Sequence, residues 1–189
     1  MRKSGLIIAA LSSLCAFSQE KKPCPCVTTM VAVGMMGGES AAKPQFQATT
    51  GLRSGSLFAG VGAGLDHYYL RSIPVFADLR ANLGHKQSAF LYLQGGYNFP
   101  YNNHNDILID IATSVHHYSG GLYFDTGLGY RIHVNTFHRI LLSAGYSRKE
   151  LYDRLVNSYC EIVPCHQDEY KYHFRVGRIS ARLSWEFGR

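Results

Sequence analysis

The stretch RISARLSWEF, Arg178 to Phe187, divides every second residue into two lists that do not mix. Ile179, Ala181, Leu183, Trp185 and Phe187 form one; Ser180, Arg182, Ser184 and Glu186 form the other. Successive side chains of a strand point to opposite faces, so a period of two describes a strand with an apolar environment on one side and a polar one on the other. The same alternation recurs along the chain, broken by clusters of Gly, Asn, Ser and Pro, and no segment carries a helical period. Eight strands are predicted, over Val27 to Met36, Pro44 to Arg53, Ser56 to Tyr69, Ile73 to Leu83, Ala89 to Phe99, Ser119 to His133, Phe137 to Lys149 and Tyr170 to Phe187.

The two faces differ in kind. From Ser56 to Tyr69 the apolar face holds Leu57, Ala59, Val61, Ala63 and Leu65, opposite Phe58, Gly60, Gly62, Gly64, Asp66 and Tyr68. Later strands oppose Val75, Ala77 and Leu79 to Phe76, Asp78 and Arg80, then Leu91 and Leu93 to Tyr92 and Gln94, and Leu122, Phe124 and Leu128 to Tyr123, Asp125 and Arg131. Charges within these runs fall on the second face, mixed with glycine and large aromatics, which suits a narrow lumen better than a water-facing surface rich in Lys, Glu and Thr. The apolar face carries aromatics at its ends: Tyr69, Tyr97, Phe99 and Tyr146 toward one side, Tyr130, Phe137, Trp185 and Phe187 toward the other. Such paired girdles mark the two interfaces of a membrane. The reading is therefore all-β, an eight-stranded antiparallel up-and-down transmembrane β-barrel spanning 27–187, in preference to a soluble barrel with an apolar inside.

The connections agree. With the first strand starting on the periplasmic side, the periplasmic turns are Ser54–Gly55, Gly84 to Ser88 and Val134 to Thr136, all short. The outer connections are Gly37 to Lys43, a tight one at Arg71 and Ser72, and two long loops, Pro100 to Tyr118 and Glu150 to Glu169. Long loops confined to one side are usual in outer-membrane barrels.

Arg2 and Lys3 precede an apolar run from Gly5 to Phe17, with Ala16 and Ser18 at small-residue positions. This predicts a signal peptide over 1–18, cleaved between Ser18 and Gln19, and a periplasmic segment over 19–26. The run is about a dozen residues, whereas a spanning helix needs roughly 20. Loss of Arg2 and Lys3 takes Lys and Arg from 19 to 17 against 13 acidic residues, a formal +4. That is too mild to imply nucleic acid and suits a basic rim facing anionic lipid. Export permits disulfides, and Cys160 with Cys165 would close a small loop stiffened by Pro164. Cys24 and Cys26, separated only by Pro25, would be strained. A zinc site drawing on both cysteine pairs needs them together, and the topology puts them on opposite sides of the membrane.

The stretches GAGLDHYYLRSIPVFADLRANL, GGLYFDTGLGYRI, LLSAGYS and RISARLSWEF together resemble a widespread family of small outer-membrane β-barrel domain proteins, over roughly Val27 to Phe187. The resemblance implies architecture, an outer-membrane location with lipid as surroundings, and insertion by the barrel-assembly machinery. It carries no catalytic residues, and the chain departs from the usual terminal aromatic because Gly188 and Arg189 follow Phe187.

An eight-stranded barrel is only wide enough to be filled by its own side chains. The expected filling is a charge network of Asp66, Asp78, Arg80, Gln94, Asp125, Arg131, Arg182 and Glu186 with Phe58, Tyr68, Phe76, Phe90, Tyr92 and Tyr123. Arg80 and Arg182 should find Asp78 or Asp125 near mid-barrel, with Arg131 and Glu186 nearer the periplasmic end. This leads to a plugged barrel acting as a structural or surface-binding protein through its outer loops, with no cofactor, metal or catalytic residue expected. The alternatives are a narrow ion path and a lipid-modifying enzyme, the latter drawing on Ser114, His116, His117 and Ser119 in ATSVHHYSGG, although adjacent histidines on a strand face opposite ways. His104, His116, His117, His138, His166 and His173 are scattered without ligand spacing.

Overall fold

The computed structural model describes residues 25–38, 42–67, 71–84, 87–101, 107–109, 112–159 and 166–188. Ten strands occupy these residues: β1 (Cys26–Gly37), β2 (Lys43–Ser54), β3 (Leu57–His67), β4 (Arg71–Leu83), β5 (Ala89–Pro100), β6 (Ile107–Ile109), β7 (Ala112–Ser119), β8 (Gly121–His133), β9 (His138–Tyr159) and β10 (His166–Gly188). All pairings are antiparallel, and β10 pairs with both β9 and β1, so β1-β2-β3-β4-β5-β8-β9-β10 close a ring of eight.

The register fixes the shape of that ring. From Arg178 on β10, cross-strand partners run through Ser147, Asp125, Gln94, Asp78, Gly60, Gly51 and Thr28 and arrive back on β10 at Gly188. One circuit therefore advances ten residues along β10, a stagger that in eight strands tilts them by roughly 40° and leaves room inside only for side chains. Tight connections gather at one end, here the turn end, where Gly55 (φ 58°) and Gly84 (φ 72°) take the left-handed backbone that those turns require.

Polarity is inverted relative to a soluble domain. Leu79, Leu128 and Leu183 are 52%, 59% and 48% exposed on the outer surface, while their neighbours Asp78 and Asp125 are 0% and Arg182 6% exposed. Val31, Val33, Phe46, Val61, Val75 and Leu93 extend the same apolar exterior. A contiguous apolar surface of this extent far exceeds the few hundred Å² that soluble monomers leave bare, and hydrocarbon is the environment that accommodates it. The lumen instead packs aromatics over glycines. A Cβ at Gly62 would stand 2.7 Å from the Phe76 ring, and one at Gly129 would enter the Phe90 ring, so these positions accept no side chain without displacing a ring.

Several sequence expectations need correction. The segments expected as loops over 100–118 and 150–169 contain β6, β7, the upper part of β9 and the start of β10. β10 leaves β1 at Ile179 and continues alone with β9, which meets β8 up to Lys149 and β7 from Tyr152 onward. A sheet β6-β7-β9-β10 thus stands beyond the barrel rim, with residues 166–178 adding roughly 40 Å of strand at about 3.3 Å per residue. The hydrophobic pattern missed it because both faces meet water there: hydrogen bonding of the ladder persists while the apolar face disappears. Between β7 and β8 the chain breaks at Gly120, where a Cβ would strike the Asn98 carbonyl. Arg71 and Ser72, expected as a tight connection, lie in β4 opposite His67 and Asp66. The expected 27–187 barrel starts one residue earlier, at Cys26, and its last strand runs to Gly188. Residues 1–24, and with them the expected signal peptide and Cys24, lie outside the described residues, as do Tyr68, Tyr69, Cys160 and Cys165. The disulfide expected between Cys160 and Cys165 therefore has no structural description, and Cys26 is half-buried at the start of β1.

Candidate functional site

Two regions bring chemistry together: the lumen, and the sheet above its mouth. The lumen is built in layers, because successive inward positions of each tilted strand descend along the barrel axis.

At the end opposite the tight turns, Lys149 of β9 reaches across to Asp66 of β3 as a buried ion pair. The Ser72 hydroxyl donates to the other Asp66 oxygen (2.5 Å), and the Lys149 ammonium also lies 3.3 Å from Ser72 Oγ, 3.4 Å from Asn98 Oδ1 and 5.2 Å from the Tyr123 ring centroid.

The middle layer centres on Arg182. Its Nη1 donates to Gln47 Oε1 (2.7 Å) and Gln94 Oε1 (2.9 Å), its Nη2 reaches Asp125 Oδ1 (3.4 Å), and its guanidinium stacks over Tyr92 at 4.5 Å. Asp125 also accepts from the Tyr92 hydroxyl (2.9 Å). The Tyr123 hydroxyl accepts from Gln47 Nε2 (3.1 Å) and shares its proton between Gln94 Oε1 (3.2 Å) and Asp125 Oδ2 (3.3 Å). Gln94 Nε2 in turn donates to Asp78 (3.0 Å), which Arg80 holds through Nη2 (2.7 Å) and Nε (3.1 Å). Each buried charge here has a partner and further hydrogen bonds, the condition under which burial is tolerable.

Phe58 and Phe90 separate this layer from the turn end. Arg80 lies over both rings (5.9 and 5.7 Å), Arg53 over Phe58 (5.9 Å) and Arg131 over Phe90 (5.6 Å). Below them Glu186 receives Arg139 (2.6 Å), Arg53 (2.8 Å) and Arg131 (3.5 Å), and Arg131 Nη1 donates to Asn82 Oδ1 (2.8 Å).

The structure thus places all eight residues of the expected charge network in the lumen and joins Arg80 to Asp78, Arg182 to Asp125 and Arg131 to Glu186. Sequence reasoning missed Lys149, Arg53, Arg139, Gln45 and Gln47. Lys149 has the inward parity of Leu141 and Ser147, but Leu141 and Leu142 are adjacent leucines, one buried and one exposed, which blurs the alternation that would have revealed it. Arg53 and Arg139 stand near strand ends, where turn and strand are hard to separate. Of the expected girdles, Tyr97, Phe99 and Tyr146 face outward, as do Tyr130, Phe137, Trp185 and Phe187 at the turn end. Trp185 stacks on Phe187 (centroids 6.0 Å) and donates Nε1–H to His138 Nδ1 (3.3 Å).

The sheet above the mouth carries aromatics and ion pairs. Tyr152 stacks on His173 at 4.4 Å and 10°, and Tyr172 on Phe174 at 6.2 Å. Glu169 pairs with Arg154 (2.7 Å) and Lys171 (3.1 Å), and Glu150 with Arg175 (3.3 Å), while His173 Nε2 lies 3.6 Å from the Glu150 carboxylate. Hydrogen bonds from Arg154 and Lys171 hold the Glu169 carboxyl below the usual carboxylate range. A pocket of about 140 Å³ opens on this sheet, lined by His117, Ser119, Tyr152, Arg154, Lys171 and Tyr172 among others. His117 and Ser119, named for lipid chemistry, line this pocket; the side chains of Ser114 and His116 lie outside the described residues. Among the described residues no group of three or more His, Cys, Asp or Glu side chains is arranged to hold a metal ion.

No family model matches the sequence, and no curated protein matches it. Among solved structures the chain is similar to Neisserial surface protein A (17% identity, covering 87% of this chain and 98% of that one, TM-score 0.40). It is likewise similar to the outer membrane protein AlkL, solved by solid-state NMR in DMPC bilayers (8% identity, 92% and 94% coverage, TM-score 0.48). A third similar structure is the translocator domain of the autotransporter NalP from Neisseria meningitidis (12% identity, 96% and 93% coverage, TM-score 0.23).

Proposed function

We propose that this chain is an outer-membrane β-barrel, exported with cleavage after Ser18, whose lumen is a closed structural plug and whose work is recognition or surface structure at the sheet β6-β7-β9-β10. The observation that carries the reading is the inverted polarity together with complete burial of Asp78, Gln94 and Asp125 in the middle layer of the lumen and of Glu186 at its turn end. A water-filled pore would leave such carboxylates exposed. The tight turns favour a periplasmic turn end, as in barrels of this kind, so the protruding sheet stands at the cell surface. A rigid scaffold presenting Tyr152, Tyr170, Tyr172 and Phe174 with interspersed charges is a layout for recognition.

The test combines three measurements on the full-length protein. Heat-modifiable gel mobility of the membrane fraction reports closure of the barrel, and planar-bilayer recording should show no steady conductance. Shortening the β9–β10 hairpin above Glu150 and Arg175 should leave assembly intact and abolish surface attachment. Steady conductance would replace the plug with an ion path, a reading favoured by the ladder of ionisable side chains from mouth to mouth. A change in lipid A mass caused by the protein would replace binding with lipid chemistry.

A further inference from the structure

Among the described ion pairs of the lumen, one carboxylate meets several cations only at the turn end. Asp66 pairs with Lys149, Asp78 with Arg80 and Asp125 with Arg182, whereas Glu186 alone faces Arg53, Arg131 and Arg139. Among the described residues no other carboxylate is within reach: Asp78 and Asp125 are held in the middle layer, and Asp66, Glu150, Asp153, Asp168 and Glu169 belong to the opposite end. Three guanidiniums within ion-pair distance of one carboxylate lie within a few ångströms of one another, in a lumen where repulsion between like charges is poorly screened.

The donors are also in surplus. Each guanidinium offers five N–H groups and a carboxylate accepts about four. Glu186 takes Arg53 Nη2 and Arg139 Nη1, and Arg131 Nη1 goes to Asn82 Oδ1 and the Gln87 carbonyl. Arg131, 2% exposed, keeps Nη2 buried without an acceptor, and its Nε and that of Arg53 are likewise without a hydrogen bond. The stacking of Arg53 and Arg131 on Phe58 and Phe90 covers guanidinium faces and leaves these edge N–H groups unanswered. Arg53 and Arg139 remain 11% and 16% exposed, so the cluster is open to solution from the turn end and closed above by the two rings.

We propose that this cluster is an oxyanion site: Arg53, Arg131 and Arg139 bind one phosphate-type group entering from the turn end, beside Glu186. Guanidinium forks match the oxygen spacing of phosphate, and one dianionic group would neutralise the excess of two positive charges. Free phosphate and the headgroup of a phospholipid at the rim present the same chemistry. Glu186 then has a definite role. It holds the three arginines apart and in place, and it opposes the anion by its own charge.

The experiment uses the full-length protein folded in a phosphate-free sugar detergent, with folding of each variant verified by heat-modifiable mobility. Inorganic phosphate is titrated by calorimetry at fixed sodium chloride. Binding is expected at one site, weakened tenfold or more in Arg139→Gln and in Arg53→Gln. Glu186→Gln should bind phosphate at least tenfold more tightly than the parent, and phosphate should raise its melting temperature more than the parent's. Glu186 acting as a purely structural counter-ion would produce no such gain. Micelles doped with a phospholipid identify the source: tighter binding than to inorganic phosphate assigns the headgroup, and equal or weaker binding assigns the free anion. Absence of binding to either probe in both the parent and Glu186→Gln overturns the proposal, as does phosphate affinity indifferent to Arg53 and Arg139.

Discussion

Arg182→Met removes the hub of the middle layer while keeping most of the side chain's length and bulk. The substitution leaves Gln47 Oε1 and Gln94 Oε1 without the donors they have at 2.7 and 2.9 Å, and takes the cation from Asp125 and from the Tyr92 face. Breaking a buried pair from one side costs about 3–5 kcal/mol, because the partner charge is stranded. Asp125 keeps two phenolic donors, Tyr92 at 2.9 Å and Tyr123 at 3.3 Å, which pulls the cost toward the lower figure. The orphaned Gln47 amide oxygen, at about 1–3 kcal/mol for an unsatisfied group, pushes it back up, while Gln94 Oε1 keeps its share of the Tyr123 hydroxyl proton. The expected loss is therefore about 3–5 kcal/mol. Adding Asp125→Asn removes the stranded charge and should recover about 1.5 kcal/mol or more, a coupling that a cycle of single and double variants isolates. Urea unfolding from lipid vesicles measures both quantities, with the single tryptophan, Trp185, reporting from the lipid-facing surface. A loss below about 1 kcal/mol for Arg182→Met, or additive single and double variants, would refute a dry, charge-paired lumen.

Other perturbations probe different parts of the account. Leu79→Arg puts a cation on the outer surface near mid-barrel and should cost about 2–4 kcal/mol in the same vesicle assay, falling toward zero for Arg at a girdle position such as Phe137. Gly62→Val drives a side chain into the Phe76 ring and should cost about 1–3 kcal/mol, whereas Gly95→Val, where a Cβ meets nothing within 4 Å, should be tolerated. The Glu169 carboxyl, held below the usual range by Arg154 and Lys171, should titrate by carboxyl NMR with a depressed midpoint that moves up in Arg154→Gln. Because the folded value is the lower one, any contribution of this pair to stability is present above the ordinary glutamate range and is lost as pH falls through the folded midpoint.

The barrel was legible in the sequence because lipid enforces a strict rule on one face of every spanning strand. Leu57 to Leu65 and Val75 to Leu83 obey it without exception, and that regularity fixes inward parity for Asp66, Asp78 and Arg80 as a by-product. Where the rule lapses, so does the reading. The upper half of β9, ELYDRLVN, alternates neither cleanly nor toward lipid, and its strand character is maintained by pairing with β7 and β10 that no local pattern announces. Lys149 was hidden at the boundary between these regimes. The arginine cluster was hidden differently: Arg53 and Arg139 are 86 positions apart and meet at Glu186 only because the stagger of the closed ring brings the ends of β2, β9 and β10 together. Strand parity assigns a face, whereas a three-to-one imbalance depends on ring closure and stagger.

The central claim is which face meets lipid. Spin labels attached at Leu79→Cys, Leu128→Cys and Leu183→Cys in otherwise cysteine-free protein, reconstituted in vesicles, should be relaxed strongly by dissolved oxygen and weakly by a water-soluble nickel complex. Labels that instead respond to the nickel complex, or to neither reagent as in a packed interior, would contradict an apolar exterior bathed in acyl chains.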